Sequence, residues 1–70
     1  MPSVHGPLIG AQVKRLRIER GWTQEELARY SEVSRPTIAR LETGAGITTL
    51  TLSKLCEALN AKPVLQEHAS

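Results

Sequence analysis

Two short helical patterns lie close together in the middle of this chain, between residues 23 and 44. Each pattern opens with a hydroxyl residue, Thr23 or Ser34, of the kind that caps a helix N-terminus. Glu26 stands three residues after Thr23, which completes a capping box. Because only a few residues separate the two patterns, the sequence predicts two helices joined by a tight turn over residues 30–33.

Two helices joined in this way are typical of a helix-turn-helix unit, whose second helix can lie in the major groove of DNA. The second helix here carries Arg35 and Arg40 on its polar side, opposite Ile38 and Leu41. The pattern therefore indicates nucleic-acid binding.

One further helix is predicted before this unit and one after it, because apolar residues recur at spacings of three and four in both places. Gly21 is expected to end the first helix, Thr48 or Thr49 to cap the last, and Asn60 to end it in a left-handed conformation. A loop is expected over residues 45–48. The predicted core comprises Ile9, Val13, Leu16, Trp22, Leu27, Ala28, Val33, Ile38, Leu41, Leu52, Leu55, Cys56 and Leu59.

The ends of the chain show no helical periodicity. Residues 1–7 are expected to form a flexible arm, residues 8–61 the helical domain, and residues 62–70 a strand and tail. The segment from Pro63 to Glu67 is too short for a helix and is predicted to be an edge strand. The expected fold class is all-α, a bundle of four to five helices with this short strand.

A chain of 70 residues makes one small domain that buries about 60% of its unfolded surface and is marginally stable alone. One cysteine and no metal-ligand cluster leave oligomerisation as the expected means of stabilisation. No apolar run approaches the ~20 residues of a membrane span, and no leader pattern precedes the domain. We therefore expect a cytoplasmic protein without a membrane partner.

Charge is distributed unevenly along the chain. Residues 1–40 hold seven basic and four acidic side chains, whereas residues 41–70 hold two basic and three acidic, so the parts carry +3 and −1. This distribution suits one nucleic-acid face and one protein face, although ordinary charge scatter is the alternative.

No set of residues is typical of an enzyme. Ser34 has no spaced histidine and acid, and no glycine-rich loop is present to hold a phosphate. His5 and His68 lack ligand-spaced partners, and Cys56 is interpreted as a small core residue. We predict no catalytic residue, metal or cofactor.

The chain from Ile9 to Leu59 resembles the XRE, or lambda-repressor-like, helix-turn-helix family. The residues that carry this resemblance are Ile9-Gly10, Val13, Leu16-Arg17, Gly21-Trp22-Thr23-Gln24-Glu25-Glu26-Leu27-Ala28, Val33-Ser34-Arg35-Pro36-Thr37-Ile38, Leu41-Glu42 and Gly44.

A narrower resemblance covers the C-terminal part of the chain. Residues 48–59, followed by the extended 63–67, are similar to the HipB-type antitoxins, in which a short strand pairs across a dimer axis. This resemblance implies a homodimer held through helix four and the strand, at Leu52, Val64, Leu65 and Gln66.

The chain departs from the family pattern at two places. Glu32 stands where relatives usually have a glycine in the turn, and a non-glycine residue at positive φ costs roughly 1–2 kcal/mol. The loop after Gly44 lacks the basic residues with which many relatives contact the DNA backbone, so that contact is expected to be weaker.

Several side chains near the start of the third helix are candidates for DNA contact. Arg35 can pair with guanine O6 and N7, a contact that discriminates against the wrong base by about 1–3 kcal/mol. Pro36 and Thr37 can touch a thymine methyl group, and Arg40 can reach a base edge or a phosphate. The alternative is a solvated helix face. Because Pro36 disfavours a helical residue before it, the helix is expected to begin one residue late. The predicted DNA-binding residues are Gln24, Ser34, Arg35, Pro36, Thr37, Arg40 and Thr43.

Gln24 lies at the start of the second helix, where amide donors and the helix N-terminus can hold a phosphate, as the resemblance also implies. Arg17 and Glu42 each fall on the inward side of a helix, and the family joins these positions by an ion pair. Arg15, Arg20 and Arg29 are expected to be solvated and to attract phosphates only generally.

Taken with the resemblance, these features predict a transcriptional regulator that binds a palindromic operator in double-stranded DNA as a homodimer. An antitoxin that also binds a toxin protein is favoured. The alternatives are a stand-alone phage-type repressor or restriction controller, and a protein-interaction module without specific DNA binding.

Overall fold

The computed structural model describes residues 3–4 and 6–60 of the chain, with side chains from residue 8 onward. Within this part the chain forms four helices and two strands of two residues each. The two strands pair antiparallel, with Ser3 opposite Thr48 and Val4 opposite Ile47. In chain order the elements are β1 (Ser3–Val4), α1 (Gly6–Glu19), α2 (Gln24–Ser31), α3 (Arg35–Glu42), β2 (Ile47–Thr48) and α4 (Thr49–Leu59).

Side-chain hydroxyl groups cap three of the helices at the predicted positions. Thr23 accepts a hydrogen bond from the Glu26 amide at 3.0 Å, and the Glu26 carboxylate accepts one from the Thr23 amide at 2.8 Å. Ser34 and Thr48 accept the corresponding amide hydrogen bonds of α3 and α4. Asn60 ends α4 at φ 54°, which confirms the predicted left-handed stop. These caps satisfy amide groups that have no partner inside a helix.

The core is built from one face of each helix. Leu27, Ile38, Leu41 and Leu55 are completely buried, so α2, α3 and α4 all contribute to its centre. All of the predicted core residues are buried or half-buried. Ile47 is also buried, although the sequence pattern placed it in a loop; the loop prediction is wrong there, because Ile47 belongs to β2.

Helices α1 and α3 approach each other closely at Gly10. A Cβ atom added to Gly10 would lie 2.0 Å from the carbonyl oxygen of Leu41. Only a glycine allows the two backbones to come this near. This contact fixes where α3 lies on the domain.

Three element boundaries differ from the prediction. Ser3–Val4 forms a strand and α1 begins at Gly6, so the expected flexible arm is wrong for these residues. Helix α2 continues through Ser31, which shortens the turn to residues 32–34. Helix α3 begins at Arg35 and not one residue later, because Ser34 caps it and Pro36 stands in the first turn, where its missing N–H is not needed.

The dimer prediction at Leu52 is wrong. Its side chain is 3% exposed and packs in the core of its own chain, so it has no surface to offer a partner. Val64, Leu65 and Gln66, and the strand predicted over residues 63–67, lie outside the described residues. Among the described helices, none combines the length and the apolar character needed to cross a bilayer.

Candidate nucleic-acid interface

Helices α2 and α3 are joined by a turn of three residues, Glu32, Val33 and Ser34. Glu32 adopts a left-handed conformation, with φ 61° and ψ 29°, and its amide bonds the carbonyl of Ala28 at 2.9 Å. Val33 is 7% exposed and anchors the turn to the core, as predicted. The turn therefore holds α3 in one orientation relative to α2 despite the lack of a glycine.

Helix α3 has a buried side and an exposed polar side. Ile38 and Leu41 are 0% exposed, whereas Arg35, Pro36 and Arg40 are exposed to solvent. The buried residues thus prevent α3 from rotating, and its two arginines face outward, as the sequence predicted.

Hydrogen bonds link the polar side chains along α3. The hydroxyl groups of Ser34 and Thr37 lie 2.8 Å apart, and an Nη2 group of Arg40 donates to Thr37 Oγ1 at 3.4 Å. Thr43 donates its hydroxyl to the Arg40 carbonyl at 2.8 Å, at the other end of the helix. Ser34 and Thr43 therefore serve the ends of α3 in this structure, although their oxygen atoms keep further acceptor capacity.

Arg35 contacts an acidic residue on the neighbouring helix. Its Nε atom lies 2.9 Å from Oε2 of Glu25, in the first turn of α2, and the two side chains are 52% and 64% exposed. In the sequence, Glu25 stands only as part of the family pattern, and no contact is predicted for it. The contact brings an acidic side chain to the surface that holds the exposed arginines.

Gln24, the predicted phosphate ligand, lies half-buried at the start of α2 and donates from Nε2 to Oε1 of Glu42 at 3.0 Å. One amide N–H is therefore used inside the protein. Its second N–H and its carbonyl oxygen have no hydrogen-bond partner among the described residues, so Gln24 can still offer a donor at the helix N-terminus.

Arg17 and Glu42 form the predicted ion pair. Arg17 donates from Nε to Oε2 at 2.8 Å and from Nη2 to Oε1 at 3.0 Å, and its Nη1 donates to the carbonyl of Trp22 at 2.8 Å. The side chains are 12% and 4% exposed. The pair connects α1 to the end of α3. It therefore helps to hold α3, and with it the exposed polar side of that helix, in position.

The surroundings keep both members of this pair charged. Burial alone would raise the pKa of the Glu42 carboxyl, but hydrogen bonds from Arg17 and Gln24, with the charges of Arg17 and Lys14, lower that pKa below its usual value. The hydrogen bond to Glu42 raises the pKa of Arg17, although burial opposes the shift.

Arg20 has a structural role that sequence reasoning missed. Its guanidinium donates to the carbonyl of Leu59, at the C-terminal end of α4, and to the carbonyl of Leu16 at 3.1 Å. It also lies 6.0 Å from the centre of the Trp22 ring, which packs against the Tyr30 ring with 4.6 Å between centroids and 49° between planes. The sequence contains no signal for the contact between Arg20 and Leu59, because these two residues come together only when the chain folds.

The described residues contain no group of three or more His, Cys, Asp or Glu side chains placed to hold a metal ion. Burial raises the pKa of the Cys56 thiol, which disfavours the reactive thiolate form.

The helix-turn-helix family HTH_3 matches residues 13–65, which is most of the chain. The chain belongs to this XRE-type helix-turn-helix family. The match includes residues 48–65 but does not show the narrower resemblance to HipB-type antitoxins.

A curated relative is consistent with this family assignment. The competence pilus inhibition repressor of Acinetobacter baylyi is 42% identical over 53 residues, which cover 74% of this chain. The aligned region is 48% of that repressor, so the chain spans about half the length of its curated relative.

The fold is similar to that of the restriction-modification controller protein C.Esp1396I. The wild-type controller superposes with a TM-score of 0.72 at 29% identity, over 81% of this chain and 75% of the controller. An arginine-to-alanine variant of it superposes with the same TM-score at 31% identity, over 81% and 77%. The family and these relatives support a DNA-binding transcriptional regulator.

Proposed function

We propose that this chain is a sequence-specific repressor of transcription that acts as a dimer and reads DNA through the exposed side of α3. The observation that carries this proposal is that α3 has one buried and one exposed side: Ile38 and Leu41 are completely buried, while Arg35 and Arg40 are exposed. A helix with this division can enter the major groove without disturbing the core.

The proposed contacts follow from the chemistry of each side chain. Arg35 pairs with guanine O6 and N7, and Pro36 and Thr37 lie against a thymine methyl group. Arg40 reaches a base edge or a phosphate, and Gln24 donates its remaining amide N–H to a phosphate. The hydroxyl groups of Ser34 and Thr43 already make hydrogen bonds within α3, and their oxygen atoms can still accept a hydrogen bond from a base amino group.

Two copies of α3, about 34 Å apart, would read the halves of a palindromic operator on one face of the duplex. The small size of the domain supports a dimer, since a 70-residue chain gains stability from association. The proposed dimer contacts are the exposed part of α4 and Val64, Leu65 and Gln66.

The genetic setting of the repressor has two candidates. The resemblance of residues 48–67 to HipB-type antitoxins supports a repressor that also binds a toxin. The similarity to the controller protein, at a TM-score of 0.72, supports a stand-alone regulator of the restriction-controller kind. The neighbouring genes separate the two: a kinase-like or nuclease toxin gene indicates an antitoxin, and restriction and methyltransferase genes indicate a controller.

The test of the proposal begins with selection of binding sites from a random DNA library by the full chain. The selected duplex is then titrated with the variant Arg35→Ala, Arg40→Ala in a gel-shift assay. We expect a loss of roughly 30-fold or more in affinity, because the guanine contact of Arg35 and the base or phosphate contact of Arg40 are both removed.

The matched control is the variant Arg15→Ala, Lys54→Ala, which removes the same charge from exposed positions on α1 and α4. It is expected to weaken binding much less, and circular dichroism checks that both variants stay folded. If the full chain enriches no sequence at all, a protein-interaction module replaces the regulator as the function.

A further inference from the structure

We propose that Glu25 sets the base preference of Arg35 by holding its guanidinium group at the DNA-reading surface. This inference rests on the proposed function, because it concerns how the same surface distinguishes one base from another. It assigns a positioning role to an acidic residue that itself makes no contact with a base.

The geometry places Glu25 beside Arg35 and outside the core. Glu25 is the second residue of α2 and Arg35 is the first residue of α3, so the three-residue turn between the helices brings them together. Nε of Arg35 lies 2.9 Å from Oε2 of Glu25. Both helices are held by buried residues, Leu27 in α2 and Ile38 in α3, so the distance between the two backbones is fixed.

The contribution of this pair to folding is small, since both side chains are more than half exposed and water screens the charges. The Arg17–Glu42 pair, at 12% and 4% exposed, has the structural role instead. The Glu25–Arg35 contact adds little stability, but it lies at the exposed polar side of α3. It is therefore positioned to affect DNA binding.

Holding Arg35 affects which DNA atoms it can meet. An unrestrained arginine has many rotamers and can swing to a phosphate, which is present at every sequence. The contact with Glu25 is made by Nε, and the two terminal Nη groups carry the four remaining N–H donors. A bidentate contact with guanine O6 and N7 needs two of those donors in a defined direction.

The carboxylate also opposes non-specific binding. A negative charge at the DNA surface repels phosphates on every sequence, whereas the guanine contact of Arg35 is gained only at the correct base pair. Glu25 therefore lowers affinity for random DNA and raises discrimination.

The experiment is a double-mutant cycle on the duplex selected by the full chain. Arg35→Ala first identifies the base pair whose preference depends on Arg35. Binding is then measured for the full chain, Glu25→Gln, Arg35→Ala and the double variant, each on that duplex, on duplexes substituted at that base pair, and on random DNA. The Glu25→Gln side chain keeps its size and loses its charge.

We expect Glu25→Gln to reduce discrimination at the Arg35-dependent base pair by roughly threefold, the scale of an exposed ion pair. Affinity for random DNA should rise. In the Arg35→Ala background the same substitution should leave base preference unchanged. Glu57→Gln, which removes the same charge from an exposed position on α4, is expected to leave discrimination unchanged.

The inference is overturned if Glu25→Gln leaves the discrimination as it is in the unmodified chain, or lowers it equally when Arg35 is absent. Either result would leave the proposed function intact, because the full chain would still have selected its operator. Failure of the full chain to select any sequence contradicts the proposed function itself.

Discussion

Glu42 is 4% exposed and yet carries a full charge, because three hydrogen bonds reach its carboxylate. Two come from Arg17 and one from Gln24, so the network joins α1 and α2 to the end of α3. Transfer of such charges out of water costs several kcal/mol per ion, which the pairing only offsets while both partners are present. The network therefore specifies where α3 lies more than it adds net stability.

Substitution of Glu42 by alanine should lower the free energy of unfolding by about 3–5 kcal/mol, because Arg17 would remain buried without its partner. Urea denaturation measures this loss. Glu57→Ala, an exposed substitution on α4, serves as the control and should change stability by about 0.5 kcal/mol or less. A similar small effect at position 42 would contradict the burial of the pair.

The contribution of Glu42 should also depend on pH. Because its pKa is lowered in the folded state, the stabilisation is fully present above the unfolded pKa of about 4.3 and is lost as the pH falls through the lower folded-state value. The difference in unfolding free energy between the unmodified chain and Glu42→Gln should therefore shrink from pH 7 to pH 3. A difference that stays constant over this range would show that the carboxylate is not the stabilising species.

Glu32 adopts φ 61° in the turn, a conformation that a residue with a Cβ takes at a cost of roughly 1–2 kcal/mol. Replacement by glycine removes this cost. It also increases the conformational entropy of the unfolded chain, which favours unfolding by about 0.4–1 kcal/mol. Glu32→Gly should therefore stabilise the chain by about 0.5–1 kcal/mol in urea denaturation, whereas Glu32→Ala should give no such gain. Destabilisation by glycine would mean that the Glu32 side chain has a stabilising contact of its own.

At the scale of elements, the position of α3 depends on three neighbours. Helix α1 meets it at Gly10, the turn at Val33 holds its start, and the Arg17–Glu42 pair holds its end. A helix of eight residues is too short to be stable alone, so these tertiary contacts and the Ser34 cap maintain it.

The close approach of α1 and α3 predicts a large effect at one position. Gly10→Ala would place a methyl group 2.0 Å from the Leu41 carbonyl oxygen, a backbone atom that cannot rotate away. We expect a loss of at least about 2 kcal/mol in unfolding free energy, since the two helices must separate. Ala11→Ser, at the exposed neighbouring position, is the control and should be nearly neutral. An equally small effect at position 10 would mean that the helices can shift apart at little cost.

At the scale of the whole molecule, the described residues leave Leu8, Ile18, Tyr30 and Leu50 exposed. A domain of this size has a small hydrophobic core, and apolar groups exposed on its surface favour association with another chain. Leu50 lies on α4, the helix that the dimer proposal requires, and is 61% exposed, in contrast to the buried Leu52.

Truncation after Asn60 tests the proposed dimer. Removal of residues 61–70 should produce monomers in sedimentation equilibrium and weaken operator binding, because each monomer would hold only one half-site. The truncated chain keeps every described core residue, so its helical circular dichroism should be retained. A truncated chain that still sediments as a dimer would place the interface elsewhere.

Local features of the chain were readable from sequence, because they depend on neighbours three or four residues away. Thr23 and Ser34 are predicted as caps from their hydroxyl groups, Thr48 as one of two candidates with Thr49, and Asn60 as a left-handed stop, and the structure has caps at Thr23, Ser34 and Thr48. The buried face of α3 followed from apolar spacing alone. The outward direction of Arg35 and Arg40 then followed from that face.

Contacts between distant parts of the chain required the tertiary structure. The Glu25–Arg35 contact, the Arg20 hydrogen bond to Leu59 and the pairing of β1 with β2 join residues whose proximity no local pattern encodes. Helical spacing predicts Leu52 in the core and the family resemblance predicts it at a dimer interface, and packing against the other helices decided for the core. Helical periodicity determines which side of each segment is apolar, whereas the angles and distances between segments determine which polar groups meet.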